Sequence, residues 1–307
     1  MRILLQTAGR TIAEWRAEFE RALPEATIAT WPDAPPSPDY ALVWRPPPEL
    51  FERVRPVKAI FNLGAGVDAL LSVSTLPDDV PVVRLEDAGM AEQMAEYATF
   101  AVLRIYREMD IYAADQVERR WLPRPQRAKS EFGVGIMGLG VLGRAIGAAL
   151  APFNFPLAGW SRERKSVPGI ATFAGPAELP PFLARSQVVV CALPSTGTTR
   201  GLLGRAALAL LPPGAHVVNI ARGDIVVDAD LMALLDEGHL GGAMLDVFRE
   251  EPLPPEHAFW HHPRITITPH VAAFTVIADS VAQIAAKIRS IERGEAISGV
   301  VDRERGY

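Results

Sequence analysis

The sequence predicts an α/β protein of two doubly wound parallel-sheet domains, and three observations carry that prediction. A strand, a tight glycine turn and a helix follow one another from Phe132 to Leu150. From there to about Val271 short apolar runs alternate with helical segments, the pattern of a parallel sheet with crossover helices. The segment from residue 1 to about 98 shows a similar alternation, and 307 residues suit two domains rather than one.

In order along the chain, Ile3 to Gln6 reads as a strand, Thr11 to Leu23 as an amphipathic helix and Thr27 to Thr30 as a second strand. The proline-rich connection Pro32 to Pro38 cannot be helical. Tyr40 to Trp44 and Ala59 to Asn62 are the next strands. The latter runs into Leu63-Gly64-Ala65-Gly66-Val67-Asp68, a glycine loop too short and wrongly spaced for a dinucleotide. Exposed amides at a strand end can hold a small carboxylate; a plain turn into a helix beginning near Asp68 is the other reading. From Gly89 to Tyr112 the pattern is helical, with Met90, Met94, Tyr97, Ala101, Ile105 and Tyr106 on one stripe that is core or a subunit interface. Trp121 to Ser130, with Pro123 and Pro125, is a loop delivering the chain to the glycine turn.

That turn follows the strand Val134 to Met137 and reads Gly138-Leu139-Gly140-Val141-Leu142-Gly143, a full G-x-G-x-x-G, before the helical residues Ala145 to Leu150. Gly138 permits the sharp turn, Gly140 lets the backbone approach a pyrophosphate, and Gly143 lets the helix lie close on the sheet. The amides around Val141 and Leu142 open the positive end of the helix dipole to an anion. Gly135 adds a further close-approach position. A fingerprint alone is weak, but a strand before it and a helix after it make a Rossmann dinucleotide site. The next strand, Pro156 to Trp160, ends in Ser161-Arg162-Glu163-Arg164-Lys165. An NAD site usually offers Asp or Glu here to the ribose 2′-hydroxyl. A serine followed by cations suits a 2′-phosphate instead. The expectation is therefore NADP(H) preferred over NAD(H), with Ser161, Arg162, Arg164 and Lys165 as contacts. A solvated basic turn is the plain alternative, and Glu163 within it keeps that reading open.

Beyond the basic turn, Val188 to Leu193, Val217 to Ile220, Gly242 to Asp246 and Ile265 to Thr268 read as strands, with Ala206 to Leu211 and Leu231 to Asp236 as helices. A last helix spans Val276 to Arg293, followed by a largely polar tail from Ile297 to Tyr307. Ligands of such sheets bind at the carboxyl ends of the strands. Leu193, Pro194, Ile220, Ala221 and Asp246 at those ends are candidate cofactor contacts. Three more strand-end residues carry chemistry: Arg222, Glu251 and His270. Arg222 can grip a substrate carboxylate and polarise the adjacent carbonyl. His270 can give the carbonyl oxygen its proton as hydride arrives from a nicotinamide, and Glu251 can fix its tautomer and favour its charged form. Singly, each has a bland reading as a cap, a turn acid or a loop histidine. His257, His261 and His262 lack the partners of a metal site, and none is expected. His216 and His239 are expected to face solvent.

Composition limits the alternatives. Hydrophobic residues make up 49% and charged residues 22%, and the net charge of −5 comes without a block of one sign. No nucleic acid or membrane surface is an implied partner. The single cysteine, Cys191, rules out an internal disulfide and reads as a buried strand thiol in Val188 to Leu193. The amino-terminal apolar run is too short for a signal peptide, and no run approaches the ~18 apolar residues of a membrane span. The expected location is cytoplasmic.

Four ordered blocks together resemble the D-isomer-specific 2-hydroxyacid dehydrogenase family: Gly138 to Gly143; Asn219-Ile220-Ala221-Arg222-Gly223; Leu245-Asp246-Val247-Phe248 with Glu251-Pro252-Leu253-Pro254; and Thr268-Pro269-His270. Trp160-Ser161-Arg162 with Lys165-Ser166, Gly241 to Met244 and the ending Val301 to Tyr307 are similar, more narrowly, to its bacterial glyoxylate/hydroxypyruvate reductase A subgroup. The resemblance implies a homodimer whose subunit inserts a Rossmann cofactor domain, residues 99–273, into a flavodoxin-like substrate domain, residues 1–98 and 274–307. It implies Arg222, Glu251 and His270 as the catalytic groups and the Leu63 to Val67 loop (Leu63, Gly64, Ala65, Gly66) as the carboxylate loop. Trp44, Arg45 and Met90 are candidate pocket walls that no motif fixes. It implies NADPH-dependent reduction of glyoxylate to glycolate and hydroxypyruvate to glycerate in the cleft between the domains. Two rivals stay open: a relative acting on phosphoglycerate, lactate or bulkier 2-oxoacids, and a dinucleotide-sensing binding protein like the C-terminal-binding corepressors.

Overall fold

Ile3, Leu4 and Leu5 have no exposed surface, and they form the middle of β1 (Arg2–Thr7). The structure, a computed structural model, describes residues 1–7 and 12–307, so Thr11, the expected helix start, lies outside the described residues. Helix α1 (Ile12–Ala22) buries Trp15 and Phe19, four residues apart on one face. Then come β2 (Thr27–Thr30), β3 (Tyr40–Trp44), α2 (Glu49–Arg53), β4 (Ala59–Asn62), α3 (Asp68–Leu71) and β5 (Val82–Val83). The five strands make a parallel sheet in the order β2-β1-β3-β4-β5. Tyr40 to Val43 are all fully buried, because a parallel sheet covered on both faces needs apolar residues on each. The two elements absent from the sequence reading, α2 and β5, are too short to show a period.

Helix α4 (Met90–Tyr106) is followed by α5 (Met109–Val117), where the sequence suggested one helix through Tyr112. Glu108 takes a left-handed conformation, φ 53°, and breaks the run. The stripe on α4 is core: Ala98, Ala101, Val102 and Tyr106 pack with Phe132, Val134 and Ile136. There follow β6 (Val134–Met137), α6 (Val141–Leu150), β7 (Leu157–Ser161), β8 (Ala171–Ala174), α7 (Leu179–Leu183), β9 (Val188–Cys191) and α8 (Arg205–Leu208). The series ends with β10 (Ala215–Asn219), α9 (Asp228–Asp236), β11 (Leu240–Leu245) and β12 (Ile265–Ile267). The seven parallel strands run β12-β11-β10-β9-β6-β7-β8, so the order reverses between β9 and β6. Alternate residues feed two apolar layers, Val189, Cys191, Val217 and Leu245 on one face and Val188, Val190, Val218 and Met244 on the other. Cys191 is fully buried, which pushes its thiol up to about 12 and removes it as a nucleophile. The sequence reading missed β8 and α7. β8 is a part-exposed edge strand, and α7 carries Pro180 and Pro181 in its first turn, where missing amide protons do no harm.

Helix α10 (Ile277–Glu292) packs on α1, and the tail is pinned beside β5 by a Val83–Val300 bridge and a buried Val301. The chain divides into Met1–Met90 with Thr275–Tyr307 and Ala91–Phe274. The first boundary thus falls before the expected 98, because the buried face of α4 belongs to the core of the second unit. Among the described residues no helix is long and apolar enough to cross a membrane.

His216 and His239 were expected to face solvent; both are part-buried. His216 lies in β10, and Cβ atoms at Gly241 and Gly242 would fall 2.5 and 3.0 Å from its ring, so β11 is glycine here to admit the imidazole. Burial pushes His216 down to about 4. Among the described residues no hydrogen-bond partner reaches the buried His239 Nε2.

Candidate active site

The glycine turn joins β6 to α6 at the edge where the strand order reverses. Gly138 has φ 101°, which side chains rarely adopt, and a Cβ there would lie 2.8 Å from the Ala192 carbonyl oxygen. A Cβ on Gly143 would lie 1.7 Å from the Gly138 carbonyl oxygen, so helix and turn close only around glycine. Gly140, the residue before α6, is different: a Cβ there would meet nothing within 4 Å. The space above it belongs to no protein atom, and α6 begins without a side-chain cap. Open backbone at a helix amino terminus fits a dinucleotide pyrophosphate. Gly135 makes its close approach inward, against Ser186 and Phe182.

The basic turn after β7 divides its labour. Lys165 Nζ donates to the Leu139 carbonyl at 3.1 Å, which sets an ammonium against the glycine turn with donors to spare. Burial, then the neighbouring Arg144, lowers its pKa. Arg162 is exposed beside it. Ser161 and Arg164 are placed otherwise than expected. Ser161 is buried and gives its one hydroxyl proton to the Glu163 carbonyl at 2.7 Å. Arg164 donates to the Thr172 carbonyl at 2.7 Å and pairs with Glu178, bracing β8.

Arg222, Glu251 and His270 come from adjacent loops at the carboxyl ends of β10, β11 and β12. Asn219, buried at the end of β10, donates to the Arg222 carbonyl at 2.9 Å and accepts the Ala221 amide at 3.1 Å. Arg222 donates to the Ala221 carbonyl at 2.7 Å. A Cβ on Gly223 would fall 1.9 Å from the Phe248 carbonyl carbon, so the arginine loop presses on the loop after β11. Glu251 Oε1 accepts the Phe248 amide at 3.0 Å, and its Oε2 lies 2.8 Å from His270 Nδ1. A carboxylate only accepts, so Nδ1 carries the proton and Nε2 is left as the exchanging atom of a side chain 40% exposed.

Asp246, expected as a cofactor contact, is 1% exposed, and its carboxylate already takes Thr268 Oγ1 at 2.6 Å and the Val271 and Ala272 amides at 2.8 Å. Leu193, Ile220 and Ala221 are buried beside it at the strand ends. Asn219, Asp246 and Gly223 hold the site, and the sequence signal for the first two was a polar residue inside an apolar run.

In the first unit, the loop after β4 is shaped by Asn62, whose amide donates to the Gly64 and Gly66 carbonyls at 2.8 and 2.9 Å. Trp44 lies across Gly64, where a Cβ would fall 2.3 Å from its ring, and Arg45 stacks over that ring at 5.7 Å. Among the described residues no acceptor takes the amides of Ala65 and Gly66. Met90 is buried.

The family model for the D-isomer specific 2-hydroxyacid dehydrogenase NAD binding domain matches residues 99–272. A glyoxylate/hydroxypyruvate reductase A of Klebsiella pneumoniae (strain 342) is 48% identical over 299 residues, 95% of this chain and 96% of that one. A D-isomer specific 2-hydroxyacid dehydrogenase of Xanthobacter autotrophicus Py2, solved with NADPH and MES, superposes with a TM-score of 0.94 at 41% identity over 100% of this chain and 99% of its own. An NADPH-dependent glyoxylate/hydroxypyruvate reductase of Sinorhizobium meliloti, solved with NADP and sulfate, gives 0.94 at 35% identity over the same shares. With a matching family model over more than half its length and these relatives over nearly all of it, the chain belongs to the D-isomer-specific 2-hydroxyacid dehydrogenase family.

Proposed function

We propose that this protein is an NADPH-dependent reductase of small 2-oxoacids, taking glyoxylate to glycolate and hydroxypyruvate to D-glycerate. The observation that carries the reading is the Glu251–His270 pair at 2.8 Å, one strand from Arg222. The 48% identity to a glyoxylate/hydroxypyruvate reductase A supports the choice of substrate, and the NADPH-bound relatives support the choice of cofactor. Bound NADPH supplies a hydride to the carbonyl carbon. His270 holds at Nε2 the proton that the carbonyl oxygen needs, and Glu251 keeps the ring turned so that Nε2 faces outward. Arg222 pairs with the substrate carboxylate. In the first unit the loop Leu63, Gly64, Ala65, Gly66, Val67, with Trp44 beside it, offers amides of the kind that hold a small carboxylate. Gly138 to Gly143 cradle the pyrophosphate, while Arg162 and Lys165 take the 2′-phosphate on a turn shaped by Ser161 and Arg164. Leu193, Pro194, Ile220 and Ala221 border the cofactor.

The proposal extends to a cytoplasmic homodimer. Phe100, Met109, Ile111, Val117, Trp121 and Leu122 are exposed apolar side chains within one stretch, Val117 at 80% and Trp121 at 95%, and an apolar surface of that kind is normally covered by a partner. Light scattering on the purified protein checks the mass.

The reading is tested with purified protein, a panel of 2-oxoacids and both nicotinamide cofactors. Glyoxylate and hydroxypyruvate with NADPH are expected to give the highest kcat/KM. A preference for NADH, or for lactate-type or bulkier acids, overturns the respective assignment. His270→Gln is expected to lower kcat by about a thousandfold with NADPH binding retained.

A further inference from the structure

Two side chains of α4 grip the ends of the segment that carries His270. The Gln93 amide donates to the Phe274 carbonyl and accepts the Phe274 amide, both at 3.0 Å. Tyr97, four residues on and therefore on the same helical face, lies with its hydroxyl 2.5 Å from Thr268 Oγ1. Thr268 gives its only hydroxyl proton to Asp246 Oδ1 at 2.6 Å, so Tyr97 must be the donor to Thr268. Donation thus runs one way, from Tyr97 through Thr268 to the buried carboxylate. Burial pushes the Tyr97 phenol up to about 12, so it keeps the proton it donates.

Asp246 gathers the rest of the segment. Its backbone carbonyl accepts the His270 amide at 2.8 Å, and its carboxylate accepts the Val271 and Ala272 amides at 2.8 Å. Three consecutive amides are thus aimed at one residue, the first at its backbone carbonyl and the next two at the anion itself. His270 sits in that run with φ 55°, a left-handed conformation that a non-glycine residue keeps only where its surroundings over-determine it. The imidazole direction therefore depends on where the Asp246 carboxylate stands, and Thr268 with Tyr97 sets one side of that carboxylate.

We propose that Tyr97 is a positioning residue for His270, acting through Thr268 and Asp246 on the backbone that aims the imidazole. The inference rests on His270 as the proton donor and adds a group that acts on it through two other residues.

The test compares wild type with Tyr97→Phe, Thr268→Val, Thr268→Ser and the Tyr97→Phe/Thr268→Val double variant in NADPH-dependent glyoxylate reduction. It measures kcat, KM, the solvent deuterium isotope effect on kcat, the NADPH dissociation constant by fluorescence, and Tm. Tyr97→Phe is expected to lower kcat about tenfold while KM and NADPH affinity stay within about twofold, since a misaimed donor slows reaction more than binding. The solvent isotope effect is expected to rise because proton delivery becomes slower. Thr268→Ser, which keeps the hydroxyl, is expected to recover most of what Thr268→Val loses, and the double variant to be no worse than Thr268→Val, because hydroxyls in series do not add. A Tyr97→Phe enzyme with wild-type kcat and isotope effect overturns the proposal, as does a kcat loss matched by an equal loss of NADPH affinity and a lower Tm. A wild type that reduces no 2-oxoacid overturns the His270 reading itself, and this is visible before any variant is made.

Discussion

Two glycine loops, one in each unit, leave the carboxyl end of a parallel strand, and they are built on opposite principles. In Gly138 to Gly143 the backbone does the shaping: Gly138 needs its positive φ and Gly143 has no room for a Cβ. Gly140 alone is unconstrained by protein atoms. In Leu63 to Val67 no glycine has a positive φ; the loop is hung from the Asn62 side chain and floored by the Trp44 ring. A loop made of backbone constraints presents a fixed row of amides to a long anion. A loop hung from side chains can be retuned one residue at a time, which suits a small carboxylate whose remaining substituent varies.

The contrast is most severely tested by Gly143→Ala. A methyl 1.7 Å from a carbonyl oxygen forces the turn apart, an overpacking cost of about 3 kcal/mol, which corresponds to about a hundredfold loss of NADPH affinity in fluorescence titration and should lower Tm as well. Gly140→Ala separates ligand from fold: NADPH should bind about tenfold more weakly with Tm unchanged. A drop in Tm there would mean that the position is structural like its neighbours. In the other loop, Asn62→Ala removes two donors worth about 1 kcal/mol each and should raise the KM for glyoxylate about tenfold while leaving NADPH affinity alone. An effect on NADPH instead would erase the distinction between the loops. The smallest effect is expected at Lys165. Lys165→Met should narrow the NADPH over NADH preference about fivefold. Since Lys165 has a lowered pKa, it loses its charge at a lower pH than an ordinary lysine. NADPH affinity should therefore weaken early as pH rises into the alkaline range, and this slope should vanish in the variant while NADH binding stays flat.

What could be read in advance follows a physical divide. Patterns that act over a few residues were legible: the apolar strands, the spacing of Gly138, Gly140 and Gly143, and the cationic turn after Trp160. Arg222, Glu251 and His270 were legible as strand-end residues, because a doubly wound sheet offers only one edge for chemistry. The break at Glu108 was not, since a single left-handed residue leaves no trace in hydrophobic period. Nor was the burial of His216, which depends on Gly241 and Gly242 of a neighbouring strand.

The sequence by itself determined the fold class and the dinucleotide turn and offered the candidates for the reactive groups, because strand, turn and helix preferences are local and spacing along the chain records them. Only the tertiary structure decided that Ser161 and Arg164 brace the basic turn, that Asp246 cradles the His270 segment, and that Tyr97 and Gln93 clamp its ends. Those roles are hydrogen bonds between residues up to 181 positions apart. A donor's partner is set by where packing brings an acceptor, which no local pattern encodes.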